Sequence, residues 1–94
     1  MLDTLLGSKL RTRVLEYLFT RPGHRLYVRQ LAALMDEDST NVSRELARLE
    51  KAGILVLTIE GKRKYYQANV DLPAFDQLKS MLSLTEREGT RVEL

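Results

Sequence analysis

The 94 residues are enough for one hydrophobic core but too few for two, so we expect a single domain. The sequence has no cysteine, one histidine and no apolar run of membrane-spanning length. We expect no signal peptide, and therefore a cytoplasmic protein without disulfides, metal or cofactor. The net charge is only +2, but residues 8–30 carry six basic side chains against one acidic, and this segregation favours a polyanionic partner.

The first third of the chain predicts two helices with a short strand between them. Apolar residues at helical spacing indicate a first helix from Ser8 to Thr20, which Pro22 and Gly23 would end. A brief strand is expected over residues 24–28, followed by a second helix over residues 29–35. The inner face of this second helix is expected to carry Leu31, Leu34 and Met35.

The third predicted helix covers residues 39–52 and has a clear amphipathic pattern. Asp38 is expected to cap its start by accepting a hydrogen bond from the backbone N–H of Asn41. Gly53 is expected to end it in the left-handed backbone conformation. The buried face of this helix is expected to comprise Val42, Leu46 and Leu49.

A β-hairpin and a last helix are expected after the third helix. Residues 54–60, rich in β-branched side chains, and residues 64–68 would form the two strands, joined by a turn at residues 61–63. Pro73 is expected in the first turn of the last helix. We expect the domain to span residues 1–84, and the polar tail of residues 85–94 to fray. The apolar stripe of the last helix comprises Phe75, Leu78, Met81 and Leu82.

This order of elements predicts a mainly α-helical fold with a small β-hairpin, the winged helix-turn-helix. The outer face of the third helix carries hydroxyl, amide and cationic side chains, which can hydrogen-bond to base edges in a DNA major groove. Glu45 and Glu50 lie at its sides and could pair with neighbouring cations. Three consecutive cations at the hairpin tip could reach a phosphate backbone or the minor groove. Each feature alone is also typical of an ordinary solvated surface, so the two together favour DNA.

The sequence resembles the ArsR-type winged-helix transcriptional regulators over about residues 5–84, and MarR-type and related winged helices remain alternatives. Gly7–Leu15 is similar to their opening helix, and Tyr27–Ala32 to the start of their second helix. Asn41–Leu55 is similar to their recognition helix and the beginning of the wing. Lys62–Tyr66 resembles the return strand of that wing.

The resemblance implies sequence-specific binding of double-stranded DNA by a homodimer that regulates transcription, with repression as the expected effect. The helix over residues 39–52 would lie in the major groove, and the wing, residues 61–64, would contact the backbone or the minor groove. Metal-sensing members carry cysteine pairs or clusters of histidine and carboxylate, so metal sensing is not expected here; the operator and any small-molecule effector stay open. The residues implied to face bases are Thr40, Asn41, Ser43 and Arg44. Those implied to meet the backbone are Arg29, Arg48, Lys62, Arg63 and Lys64.

Two alternatives come from other functional classes. The sequence shows no nucleophile–base pair, glycine-rich phosphate loop or metal motif, so we do not expect an enzyme. A winged helix can also mediate contacts between proteins without DNA, but the basic wing and Arg44 argue against that role. For the dimer we expect a two-fold interface through the first and last helices. The alternative is that the apolar stripe of the last helix and the apolar residues Leu2, Leu5 and Leu6 near the other end both close the core of one chain.

Overall fold

The computed structural model describes residues 9–82, and its secondary structure follows the predicted order. Three helices come first, α1 (Lys9–Phe19), α2 (Val28–Met35) and α3 (Ser39–Lys51). An antiparallel hairpin of β1 (Leu55–Glu60) and β2 (Arg63–Ala68) follows, and a last helix, α4, begins at residue 75 and is helical up to residue 82. The predicted winged helix-turn-helix fold is therefore confirmed. The predicted start of the first helix at Ser8 and the predicted frayed tail lie outside the described residues.

The turn between α2 and α3 is acidic. Asp36 ends α2 in a left-handed backbone conformation, with a φ of 52°. Asp38 caps α3, but its Oδ1 accepts from the N–H of Thr40 at 2.8 Å and not from Asn41, so that detail of the prediction was wrong. The backbone of Asp38 is extended. From that position its short side chain lies closer to the N–H of Thr40, the second of α3, than to the N–H of Asn41, the third. At the other end of α3, Gly53 adopts the predicted left-handed conformation, with a φ of 81°.

The strand predicted before α2 is reduced to a single backbone pair. The N–H of Leu26 donates to the carbonyl of Tyr66 at 2.9 Å, and the N–H of Tyr66 donates back at 2.8 Å. α2 then begins at Val28, one residue earlier than predicted, and this early start leaves no room for a longer strand. The N–H of Tyr27 donates to Oε1 of Gln30 at 3.0 Å, which satisfies a backbone group just outside the helix.

One hydrophobic core lies between the helices and the hairpin. Leu34 was predicted to face it but is 52% exposed, and Ala32 is buried instead. On the helix surface, Ala32 and Leu34 lie on opposite sides of the buried residues Leu31 and Met35. The orientation of α2 turns the side with Ala32 towards the core and the side with Leu34 towards solvent. The most deeply buried apolar side chains are Val14, Leu15, Leu18, Phe19, Leu31, Val42, Leu46 and Leu82.

The hairpin turn has two residues, Gly61 and Lys62, and not the three that were predicted. Glu60 pairs with Arg63 across the hairpin, so Arg63 belongs to β2. Gly61 has a φ of 63°, as expected for the first residue of a type II′ turn, whose twist matches that of the flanking strands. Side chains alternate along β2, and on one of its faces Tyr66 is buried in the core.

α4 packs against the core of its own chain. The ring of Phe75 stacks on that of Phe19, with 5.3 Å between the ring centroids. Leu82 is fully buried and Leu78 packs against the core, whereas Met81 is 46% exposed. Three of the four apolar residues in the predicted stripe are therefore used within the chain.

Candidate nucleic-acid interface

The outer face of α3 carries the predicted base-reading side chains. Its inner face is as predicted, because Val42, Leu46 and Leu49 are all buried in the core. α3 is thus held by its apolar face and presents hydroxyl, amide and guanidinium groups on the other. The exposed residues of this outer face include Thr40, Asn41, Ser43, Arg44, Ala47 and Arg48.

A hollow between the start of α2 and the outer face of α3 brings several predicted residues together. Its volume is about 570 Å³, and Arg29 lines it beside Thr40, Ser43 and Arg44. Arg29 lies in the first turn of α2, and the short turn between the two helices places it next to the hydroxyl groups of α3. A cation beside hydroxyl and guanidinium groups would suit a DNA strand that passes the start of α2 while its bases face α3.

A second hollow, of about 350 Å³, joins the start of α2 to the wing. Arg29 lines it together with Tyr27, Arg63 and Lys64. Because Arg29 lines both hollows, one surface runs from α3 across the start of α2 to the wing. Among the described residues, no acidic side chain lines either hollow. We call the residues that line these two hollows the basic face.

Asn41 and Arg48 lie at one edge of the outer face of α3. They line a third hollow, of about 330 Å³, which also contains Arg44, Glu37 and Glu45. Arg44 therefore lines both this hollow and the one that contains Arg29 and Thr40. Of the remaining predicted residues, Lys62 is exposed in the hairpin turn and lines none of these three hollows. Apart from Lys62, the predicted site residues thus fall into two groups that share Arg44.

Glu45 is a shielded carboxylate on α3, only 7% exposed. Its Oε2 lies 2.6 Å from Nε of Arg11, which comes from α1. The sequence predicted that Glu45 could pair with a cation, but it did not identify Arg11, which lies 34 positions away. The arginine balances the negative charge of Glu45, which lines the same hollow as Arg44 and Arg48.

A cluster of cations and aromatic rings covers the outer face of the wing. The Arg25 guanidinium donates to the two carboxylate oxygens of Glu60 at 2.7 and 2.9 Å and lies over the ring of Tyr65, 4.7 Å from its centroid. The rings of Tyr65 and Tyr27 meet edge to face at 5.8 Å, and the guanidinium of Arg63 lies 4.4 Å from the Tyr27 centroid. Hydrogen bonding to Arg25 lowers the pKa of Glu60 below its ordinary value, because the bond favours the charged form of the carboxylate. We call these five residues the wing cluster.

The acidic residues of the α2–α3 turn serve local roles, Asp36 at the end of α2 and Asp38 as the cap of α3. Within residues 9–82, no group of three histidine, cysteine, aspartate or glutamate side chains is arranged to hold a metal ion. In the same range, no helix has the length and apolar character needed to cross a membrane.

Comparison with known proteins gives matches among solved structures, whereas no family model and no curated protein matches the sequence. The AntR antimony-specific transcriptional repressor is 30% identical, with 86% of this chain and 68% of that chain covered and a TM-score of 0.61. The adhesin competence repressor AdcR from Streptococcus pyogenes is 17% identical, with 98% and 75% covered and a TM-score of 0.74. A variant of MepR from Staphylococcus aureus, bound to an oligodeoxyribonucleotide, is 20% identical, with 98% and 68% covered and a TM-score of 0.71.

The three helices, the hairpin and the exposed basic face define a winged helix-turn-helix protein. The matches to AdcR and MepR support this fold. The match to AntR, at 30% identity, shows similarity in sequence as well as in structure. The chain belongs to the winged helix-turn-helix transcriptional regulators.

Proposed function

We propose that this regulator binds double-stranded DNA at a specific sequence and represses transcription, as a member of the ArsR type. The observation that carries the proposal is the continuous basic face, which extends from α3 across Arg29 to the wing. On this proposal α3 lies in the major groove, and the wing, residues 61–64, lies along the backbone or in the minor groove. We expect no enzymatic activity, no cofactor and a cytoplasmic location.

α3 would supply the groups that read the bases. Arg44 can donate two N–H groups to O6 and N7 of a guanine, and Asn41 can make a similar two-point contact with an adenine. The hydroxyl groups of Thr40 and Ser43 can donate or accept, so they can serve a base edge or a phosphate. The methyl group of Ala47, on the same exposed face, is suited to contact a thymine methyl group.

Two arginines flank this reading face on opposite sides. Arg29 lines the first hollow with Thr40 and Ser43, whereas Arg48 lines the third hollow with Asn41. The major groove is bordered by a phosphate backbone on each side, so Arg29 and Arg48 would contact opposite strands and hold α3 between them. The backbone contacts of the wing would come from Lys62, Arg63 and Lys64.

We further propose a homodimer that uses the first and last helices. Met81 supports it as an exposed apolar side chain on α4, although its neighbour Leu82 packs within the chain. The apolar residues before the first helix, Leu2, Leu5 and Leu6, lie outside the described residues. A two-fold dimer would present two copies of α3 about 34 Å apart, one turn of DNA, and would bind a palindromic site. Which small molecule, if any, acts as an effector is left open.

Selection of bound duplexes from a random pool tests the proposal. We expect a palindromic consensus to be enriched. Arg44→Ala should then lose about 1–3 kcal/mol of discrimination at one base-pair position of each half-site. Lys79→Ala, which removes a cation from α4 and leaves the basic face intact, should keep that discrimination. A pool without an enriched sequence, or an Arg44→Ala variant with unchanged preference, would overturn the proposal.

A further inference from the structure

The outer end of the wing extends away from the core. Ile59, close to the turn, is 61% exposed, although Leu55 at the start of β1 is buried. A two-stranded hairpin is only marginally stable by itself, so the direction in which its turn points has to be supported from outside the hairpin. The wing cluster lies where such support is needed.

The support begins at the backbone pair between Leu26 and Tyr66. Because side chains alternate along an extended chain, this pairing places Arg25 and Tyr27 on the same face of the sheet as Tyr65. The residues that precede α2 therefore lie alongside β2 and reach across it towards β1.

Arg25 connects this segment to the outer end of β1. Its two hydrogen bonds to Glu60 form a fork, which restricts the orientation of both groups as well as their distance. Glu60 is the last residue of β1 and directly precedes the turn. The contact therefore acts at the part of the hairpin that the core supports least.

The other contacts of the wing cluster connect the wing to α2. Tyr27, which directly precedes α2, contacts the ring of Tyr65, and Arg63 lies over the ring of Tyr27. The first turn of α2 also carries Arg29, which lines the same hollow as Arg63 and Lys64. The angle of the wing and the position of Arg29 are thus coupled through neighbouring side chains.

We propose that Arg25 and Glu60 are positioning residues, which hold the wing at the angle where Lys62 and Lys64 reach the same DNA backbone as Arg29. The inference rests on the proposed DNA-binding function and adds two residues that act without touching DNA. Glu60 is negatively charged and lies beside the cations of the wing, so electrostatics alone predicts that its removal strengthens DNA binding. Positioning predicts the opposite, because a wing that is free to move loses phosphate contacts.

The opposite signs make Glu60→Gln the decisive variant. The affinity of the full chain for the selected duplex is measured over a range of salt concentrations. We expect weaker binding and a shallower dependence of log K on log salt, by about 0.9 for each phosphate contact that the wing loses. The matched control is Glu37→Gln, which removes an exposed carboxylate beside Asn41 and Arg44 but leaves the wing cluster intact. It should bind at least as tightly as the wild type, with an unchanged slope. Tighter binding by Glu60→Gln would overturn the proposal.

A charge swap separates position from net charge. The double variant Arg25→Glu/Glu60→Arg has the wild-type charge and can form the same pair in the reverse direction across Tyr65. It should recover most of the wild-type slope, whereas Arg25→Glu alone should not. Equal slopes for the double variant and Arg25→Glu would contradict a positioning role.

A measurement without DNA keeps this inference distinct from the proposed function. The close contacts of Tyr27 and Tyr65 should give a near-ultraviolet circular dichroism signal. Glu60→Gln should reduce that signal while the far-ultraviolet signal of the helices stays the same. If the wild type binds no duplex, the proposed function fails. In that case the tyrosine signal decides whether Glu60 holds the wing cluster, and an unchanged signal overturns the inference.

Discussion

Arg11 of α1 and Glu45 of α3 form an ion pair in which the arginine Nε lies 2.6 Å from the glutamate Oε2. The two side chains are largely shielded, with 21% and 9% of their surfaces exposed. A shielded carboxylate is destabilising unless it is paired, so this contact favours one orientation of α3 relative to α1. The same helix carries the proposed base-reading residues, and their presentation therefore depends on α1.

Removal of the arginine should destabilise the fold. Arg11→Met leaves the Glu45 carboxylate without this partner, and we expect the free energy of unfolding to fall by about 1–3 kcal/mol, measured by urea denaturation. Arg13→Met, on the exposed side of the same helix, should change it by less than about 0.5 kcal/mol. In the double variant Arg11→Met/Glu45→Met, most of the loss should be recovered, because no unpaired charge remains. Equal losses for the Arg11 and Arg13 variants would contradict a role for the pair.

The cap at the start of α3 should contribute measurably to stability. Asp38→Ala removes the acceptor for the N–H of Thr40, so we expect a loss of about 1 kcal/mol in the free energy of unfolding, measured by urea denaturation. Asp38→Asn keeps an oxygen acceptor in the same place and should stay close to the wild type. Similar losses in both variants would show that the charge of Asp38 matters more than its hydrogen bond.

Arg29 and Arg44 should differ in what they do to DNA binding. Arg29→Gln removes a proposed phosphate contact, so affinity should fall by a similar factor on every duplex, and the slope of log K against log salt should fall by about 1. Arg44→Ala should instead weaken discrimination at particular base pairs. Titration of both variants against the consensus duplex and its single-base substitutions distinguishes the two. A base-specific effect of Arg29→Gln would place Arg29 in the groove instead of at the backbone.

The wing cluster should respond to acid below the ordinary range of a glutamate. Arg25 lowers the pKa of Glu60 from its ordinary value of 4.5, so the folded protein binds this proton less readily than the unfolded chain. The stabilisation by the Arg25–Glu60 pair is therefore complete above pH 4.5. It is lost as the pH falls through the lowered pKa of Glu60 in the folded state. The tyrosine circular dichroism signal should stay constant down to about pH 4.5 and change only below it, as the pH falls through the lowered pKa of Glu60. In Glu60→Gln this transition should be absent, and a transition retained there would assign it to another group.

Much of the fold could be predicted because its signals are local. The spacing of Val42, Leu46 and Leu49 defines the buried face of α3, and Gly53 ends the helix through a conformation that glycine adopts without strain. Two details of the prediction, the amide that Asp38 caps and the residue of α2 that faces the core, were wrong because the sequence allowed two nearly equivalent local arrangements. Asp38 could have accepted from either of two amides, and Leu34 and Ala32 flank the same line of core residues.

By itself, the sequence determined the order of helices and strands and the residue types on the outer face of α3, since periodicity, caps and turn residues act over a few positions. Tertiary structure alone decided how those residues are grouped. The packing of α2 against α3 placed Arg29 beside Thr40, and helix orientation paired Arg11 with Glu45. The pairing of residue 26 with β2 and the register of the hairpin brought Arg25 to Glu60. The Arg11–Glu45 and Arg25–Glu60 contacts join residues 34 and 35 positions apart, and only the relative placement of whole elements brings such residues together.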